Sequence, residues 1–157
     1  MLGGTQDLNA GQFIDRVGVA LGLPFPAGPH LEKLAEQADD RFPATPVSVK
    51  DLQISFSGPE THVKRWLAMS PNPAVVAASV QQCVAESLLR VLVAATAQTG
   101  IDRILLVGGV GANRSVRNHL SAGLSRDRHV TVSWPEPQFS GDNATGAAWW
   151  AVLQKVV

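Results

Sequence analysis

The sequence predicts an α/β fold in which several helices surround a small parallel sheet. Three observations carry this expectation. The runs RILLV (103–107) and HVTVSW (129–134) have the length and β-branched content of strands. Between them, residues 113–124 read as a helix, so strand, helix and strand form a right-handed parallel β-α-β unit. Upstream, apolar residues recur at helical spacing over 8–21 and 73–98.

In chain order, 8–21 is a helix with Phe13, Ile14, Val17 and Leu21 on one side, stopped by Gly22. LPFPAGP is a rigid proline-rich turn, followed by a short helix over 29–38. Residues 39–53, with two prolines and mixed charges, read as an extended loop. Leu52, Ile54 and Phe56 alternate in LQISFSG as in a brief strand, and a helix over 59–69 follows. The long helix at 73–98 carries a stripe of Val76, Val80, Val84, Leu88, Val91 and Ala95. Val75, Leu89, Leu92 and Val93 widen the stripe, which implies burial on more than one side, and Gly100 ends the helix. A last helix over 142–154 carries Trp149, Trp150, Val152 and Leu153. RILLV is apolar on both faces, the pattern of a strand covered on both sides of a parallel sheet. Two evident strands are too few for such a sheet, so others are expected from a second chain or a longer one.

With 157 residues the chain is expected to be a single domain, 1–157. Its 13 basic and 13 acidic residues balance to zero net charge, which argues against a stand-alone nucleic-acid binder. Cys83 is the single cysteine, so there is neither a disulfide framework nor a cysteine metal site. The N-terminus has no signal-peptide pattern. The apolar segment 73–97 is interrupted by Gln81, Gln82, Glu86, Ser87 and Arg90 and reads as too polar to span a bilayer. A soluble cytoplasmic protein without a membrane partner is the expectation.

The corner LLVGGVGANRSVRNHLSAGL (105–124) runs from strand through a glycine-rich turn into a helix. Such a turn either holds an anionic or nucleotide ligand or simply makes a tight corner. Four stretches in fixed order bear on the choice: DLNAGQFIDRVGVALGLPFPAGP (7–29), ISFSGPETHV (54–63), VGGVGANRSVR (107–117) and SGDNATGAAW (140–149). Together they resemble the C-terminal half of the tRNA threonylcarbamoyladenosine-forming transferases, also known as O-sialoglycoprotein endopeptidases or glycoproteases. The resemblance implies the actin-like ATPase superfamily, whose two ribonuclease-H-like lobes enclose a cleft for a nucleotide and a metal. On that comparison the chain is most of the second lobe, a partial ribonuclease-H-like α/β lobe that is helix-rich with a small parallel sheet. The first lobe and the initial strands of the second are missing, and an excised piece is expected.

The resemblance also assigns residues. Asp15 matches the aspartate that contacts the ligand's ribose hydroxyls, and a carboxylate suits a diol because it accepts two hydrogen bonds. By itself Asp15 also reads as a helix-surface aspartate paired with Arg16 or Lys33. Gly28 matches a ligand-approaching glycine of a PGGP turn, and otherwise reads as a turn glycine with positive φ; Ala27 stands where the first glycine of that turn is expected. Gly108, Gly109 and Gly111 form the glycine turn, whose helix-start N–H groups are donors for a ligand oxygen. Asn113 matches a ligand-binding asparagine and equally reads as a helix N-cap. Asp142, beside Asn143, matches a metal-ligating aspartate whose histidine partners belong to the missing lobe; the alternative is again an N-cap. His30, His62, His119 and His129 show no ligand spacing. The implied cofactors of the full-length protein are a divalent metal (iron, zinc or magnesium) and an adenine nucleotide, with no metal held tightly by this chain alone. No residue here receives a catalytic role.

Several positions depart from the family pattern: Gln12 for glutamate, Arg16 for lysine, Pro59-Glu60 for Leu-Lys, and Gly141 for threonine. These suggest a divergent paralogue, and the reversed charge at Glu60 is expected near the cleft. Three functions follow. The first is the nucleotide-binding lobe of a threonylcarbamoyltransferase-like enzyme, reaching tRNA only in the full-length complex. The second is a non-catalytic assembly lobe, joining a second copy or a family paralogue through surfaces such as Trp66, Trp149 and Trp150. The third is another actin-like phosphotransferase. A protease is disfavoured, since no nucleophile–base pair is evident.

Overall fold

The computed structural model describes residues 1–39, 41–125, 130–136, 139, 150 and 152. The first helix, α1 (Ala10–Ala20), starts where Gln12 Oε1 accepts the Asn9 N–H at 3.0 Å. It buries Phe13, Ile14, Val17 and Gly18, and Gly22 with φ of 80° follows its end. α2 (Gly28–Ala35) opens with proline at its second position and lies against α1. The two approach so closely that a Cβ on Gly18 would lie 2.3 Å from Ala27 Cβ.

The segment expected as a loop over 39–53 contains a strand. β2 (Val49–Lys50) pairs antiparallel with β3 (Gln53–Ile54), and β1 (Gly4–Thr5) joins β3 in parallel, giving the order β1-β3-β2. Asp7 then fastens the chain that leaves this sheet. Its carboxylate accepts from the Phe56 N–H at 2.9 Å, the Ser55 hydroxyl at 2.6 Å and the Ser57 N–H at 3.3 Å. Partial desolvation would raise its pKa. The hydrogen bonds from Ser55, Ser57, Leu8 and Phe56 outweigh that and hold the carboxyl well below the usual range. α3 (Ser57–Leu67) therefore begins two residues earlier than the proline in ISFSGP suggests.

α4 (Pro73–Thr99) is the central helix, capped by Asn72 and terminated by left-handed Gly100. Val76, Val80 and Val84 are fully buried, and Ala74, Gln81 and Ala85 are buried on the other side of the helix, as the broad stripe predicts. By length and composition α4 is apolar enough to cross a membrane, contrary to the sequence reading; half of its most apolar window is buried inside the protein, between α2 and the helix after the glycine turn. Its thiol, Cys83, donates to the Pro46 carbonyl, and burial pushes its pKa up to about 11, so it is an unreactive core group. The first core gathers Phe13 stacked on Phe56 (centroids 5.3 Å apart) with Leu31, Val63 and the valines of α4; Trp66 packs against it.

β4 (Arg103–Leu105) and β5 (Thr131–Ser133) pair in parallel with Ile104 opposite Val132, as expected of the β-α-β unit. The intervening helix expected over 113–124 is α6 (Arg114–Leu124), capped by Asn113, and the glycine turn before it adds a short helix of its own, α5 (Gly109–Ala112). Val116, Leu120 and Leu124 of α6 form a second core with Ala85, Ile104 and Val132. The opposite face of β4 does not match the expectation of double cover: Leu105 is 66% and Val107 64% exposed. Most of the helix expected over 142–154, including Trp149, lies outside the described residues; Trp150 and Val152 are helical and exposed.

Candidate nucleotide site

Three pieces of chain distant in sequence meet at a cavity of about 470 Å³: one face of α1, the start of α2, and the glycine turn with α5. Its walls include Asp15, Gly28, Glu32, Gly109, Val110 and Asn113. Gly108 is not a wall. Its φ of 99° makes the turn that starts α5, a conformation that requires glycine. Asp142 and Asn143 lie outside the described residues.

Asp15 reaches the cavity because it sits on the edge of α1 beside buried Ile14. Its expected partners, Arg16 and Lys33, are not the ones found: Oδ1 accepts the Ala27 N–H at 2.8 Å. Oδ2 has no hydrogen-bond partner among the described residues. The carboxylate thus clamps the entrance of α2 with one oxygen and offers the other to the cavity. Ala27 itself is fully buried, its methyl turned to Gly18, so it does not narrow the cavity as its replacement of a glycine suggests.

Gly28 is not a positive-φ turn residue; it is the first residue of α2. A Cβ there would meet only Ile14 Cγ2, at 3.9 Å. The same holds for Gly11 (nearest atom 4.0 Å) and Gly109 (nothing within 4 Å). Three cavity-lining glycines are therefore required neither by backbone conformation nor by packing. Their missing side chains leave space for a bound molecule.

Both readings of Asn113 hold geometrically. Its Oδ1 caps α6 by accepting the Val116 N–H at 2.9 Å, which leaves the amide NH₂ as the group available to the cavity. The helix start offers less to an anion than its sequence suggests. Glu32 Oε1 takes the Arg114 N–H at 2.8 Å, so a carboxylate already occupies the position a phosphate would favour. Glu32 is the site residue that sequence reading missed. Its signal was a position four residues after Gly28 on the same short helix, which brings it to the same face. Asp15 and Glu32 are charged walls, and among the described residues no lysine or arginine lines the cavity. Such a surface suits the neutral, hydroxyl-rich end of a nucleotide.

Behind the turn, Arg117 Nε donates to the Gly111 carbonyl at 2.6 Å and its Nη2 to the Pro135 carbonyl at 3.1 Å, while the guanidinium lies 5.1 Å from the Trp134 ring centre. This fixes the glycine turn to the exit of β5. The departures at positions 16 and 60 prove to be partners. Glu60 is almost buried, bonded by Arg16 at 3.3 Å and Lys64 at 2.8 Å, and it is not a wall of the cavity. Gln12 supplies the capping oxygen of α1. Among the described residues no three His, Cys, Asp or Glu side chains converge as a metal-binding group.

A family model for tRNA N6-adenosine threonylcarbamoyltransferase (TsaD) matches residues 1–149. A transferase of that name from Variovorax paradoxus is 38% identical over 162 residues, covering 98% of this chain and 46% of the relative. Those of Chlorobium chlorochromatii and Methanopyrus kandleri are each 33% identical, covering 98% of this chain and 49% and 43% of the relatives. The chain thus spans about half the length of the curated relatives it matches. Among solved structures, HypF of T. kodakarensis superposes with a TM-score of 0.72 at 18% identity over 85% of this chain and 18% of that one. A full-length HypF in a phosphate- and nucleotide-bound form gives 0.63 at 19% identity, over 81% of this chain and 18% of that one. At such identity the likeness shows the fold alone, a partial helix-rich α/β lobe.

Proposed function

Because the chain belongs to the tRNA N6-adenosine threonylcarbamoyltransferase family, we propose that it is the nucleoside-binding half of such a transferase. The supporting observation is the cavity where Asp15, Gly28, Gly109 and Asn113 converge around space that three dispensable glycines leave open. In this reading Asp15 Oδ2 accepts from the ribose hydroxyls, Gly28 and Gly109 let the ligand approach bare backbone, and the Asn113 amide donates to an acceptor on the nucleoside. Gly108 acts through the turn. The phosphate end points away from Asp15 and Glu32, towards the remaining half of the family's length.

That remaining half supplies the first lobe and the opposite wall, and tRNA is engaged only by the complete protein. The whole of 1–157 is then one lobe, the second. The exposed apolar face of Leu105 and Val107 supports this, as a sheet face that a further layer of the complete protein would cover. In this reading Asp142 is the one metal ligand that this chain contributes. The described residues hold no complete donor set, and no step is assigned through a metal.

Titration calorimetry of the chain with adenosine, 2′-deoxyadenosine and AMP tests the nucleoside reading. Adenosine binds saturably, and loss of the 2′-hydroxyl weakens binding about tenfold or more, as for a hydrogen bond to a charged group. AMP gains nothing over adenosine. Equal affinity for adenosine and its deoxy analogue, or a large gain with AMP, refutes the arrangement.

A further inference from the structure

A second cavity, of about 430 Å³, opens on the other side of α2. It lies between α2, the segment after it, α4 and α6, and none of the family-matching motif residues Asp15, Gly28, Gly109 and Asn113 borders it. Two independent features of its wall point to a ligand. The first is Gln81, in the middle of α4. It is 1% exposed, and its Nε2 atom is buried without a hydrogen-bond partner. A buried amide donor left unpaired is costly, and such groups ordinarily have a partner. Here the residue borders a cavity large enough to hold one. The second is charge. Glu32, Glu36 and Asp39 line the space, and among the described residues no lysine or arginine does. Arg114, alongside, pairs its guanidinium with both Glu36 at 2.5 Å and Glu32 at 3.7 Å, and its N–H also bonds Glu32, which offsets part of this charge and leaves Asp39 as the carboxylate without such a bond. His119 on α6 is turned to Glu86, with Nε2 3.1 Å from Oε2.

We propose that this cavity is a separate binding site for a small organic cation that also carries a hydrogen-bond acceptor. An ammonium or guanidinium group meets the carboxylates of Glu36 and Asp39, and a carbonyl or amide oxygen on the same molecule accepts from Gln81 Nε2. Phe42 supplies an aromatic wall for the aliphatic part. The proposal does not rest on the nucleoside reading, although Glu32 borders both cavities.

The test uses L-argininamide, which combines both groups, titrated by calorimetry against the full chain. Spermidine, a cation without an acceptor, and free acetamide, an acceptor without a charge, are the comparison compounds. L-argininamide binds saturably and at least tenfold more tightly than either. Gln81→Leu weakens it about tenfold and Glu36→Gln several-fold, and raising the salt concentration weakens it further. The leucine variant also melts at a higher temperature, because it removes the unpaired donor without leaving a void. Equal binding of spermidine and L-argininamide removes the role of Gln81 and overturns the proposal. So does absence of saturable binding while Gln81→Leu still gains stability, since the cavity then holds only water. Loss of adenosine binding, with L-argininamide still bound, affects the nucleoside reading alone.

Discussion

Replacing Asp15 separates the two tasks of its carboxylate. Asp15→Ala deprives the Ala27 N–H, on a fully buried residue, of its acceptor. An unpaired buried donor costs about 1–3 kcal/mol, and the loosened α2 entrance displaces Gly28 as well. Asp15→Asn keeps an oxygen for Ala27 and puts an NH₂ where Oδ2 stood. A donor there cannot accept from a ribose hydroxyl, so the variant loses a charge-assisted hydrogen bond worth about 1.5–3 kcal/mol, a factor of roughly 10 to 150 in affinity. Urea unfolding followed by circular dichroism is therefore expected to separate Asp15→Ala from the parent while leaving Asp15→Asn within about 0.5 kcal/mol. Adenosine calorimetry is expected to show both variants weakened. Undiminished adenosine affinity in Asp15→Asn refutes the ribose contact, and undiminished stability in Asp15→Ala refutes the clamp.

Three further outcomes are expected. Asp7 has a folded-state pKa below its ordinary 3.8, so its stabilisation is present above that value and disappears as the pH falls through the lower folded value. Asp7→Asn should cost about 1 kcal/mol at pH 6, discounted for the exposure of the carboxylate, and the gap to the parent should begin to narrow as the pH falls below 3.8 in urea titrations; a gap that widens contradicts the assignment. Gly18→Ala forces a methyl to 2.3 Å from Ala27 Cβ, a clash costing about 1–3 kcal/mol, and adding Ala27→Gly recovers most of it in a double-mutant cycle. Glu60→Lys, which restores the family's charge, places a cation between Arg16 and Lys64 and lowers stability by about 2–3 kcal/mol without changing adenosine affinity, since Glu60 is not a cavity wall. A change in affinity instead would return Glu60 to the cleft.

The helices were legible because their stripes are local. Val76, Val80 and Val84 lie at the spacing of one face, and the capping of α1 and α4 is written in residues adjacent to them. β1 and β2 were not. Two-residue strands carry no alternation, and their pairing is set by distant chain: Gly3 lies so near Leu52 that a Cβ would fall 2.1 Å from the Leu52 carbonyl oxygen. The strand RILLV was recognised, but its two apolar faces could not say which would be covered. The residues around the cleft could be named from motifs, whereas their partners could not. The Asp15–Ala27, Arg16–Glu60 and Glu32–Arg114 contacts join residues 12, 44 and 82 positions apart, and no local pattern encodes them. Gln81 was visible as a polar interruption of an apolar helix; that it would be buried with an unpaired amide needed the packing of α2 and α6 around it.

Glu32 is a wall of both cavities and at the same time holds the first N–H of α6, next to Asn113. The two spaces consequently share a boundary group whose charge and position cannot change for one without changing for the other. The short α2 helix is in this sense a partition between two spaces, with one carboxylate set in both of its faces.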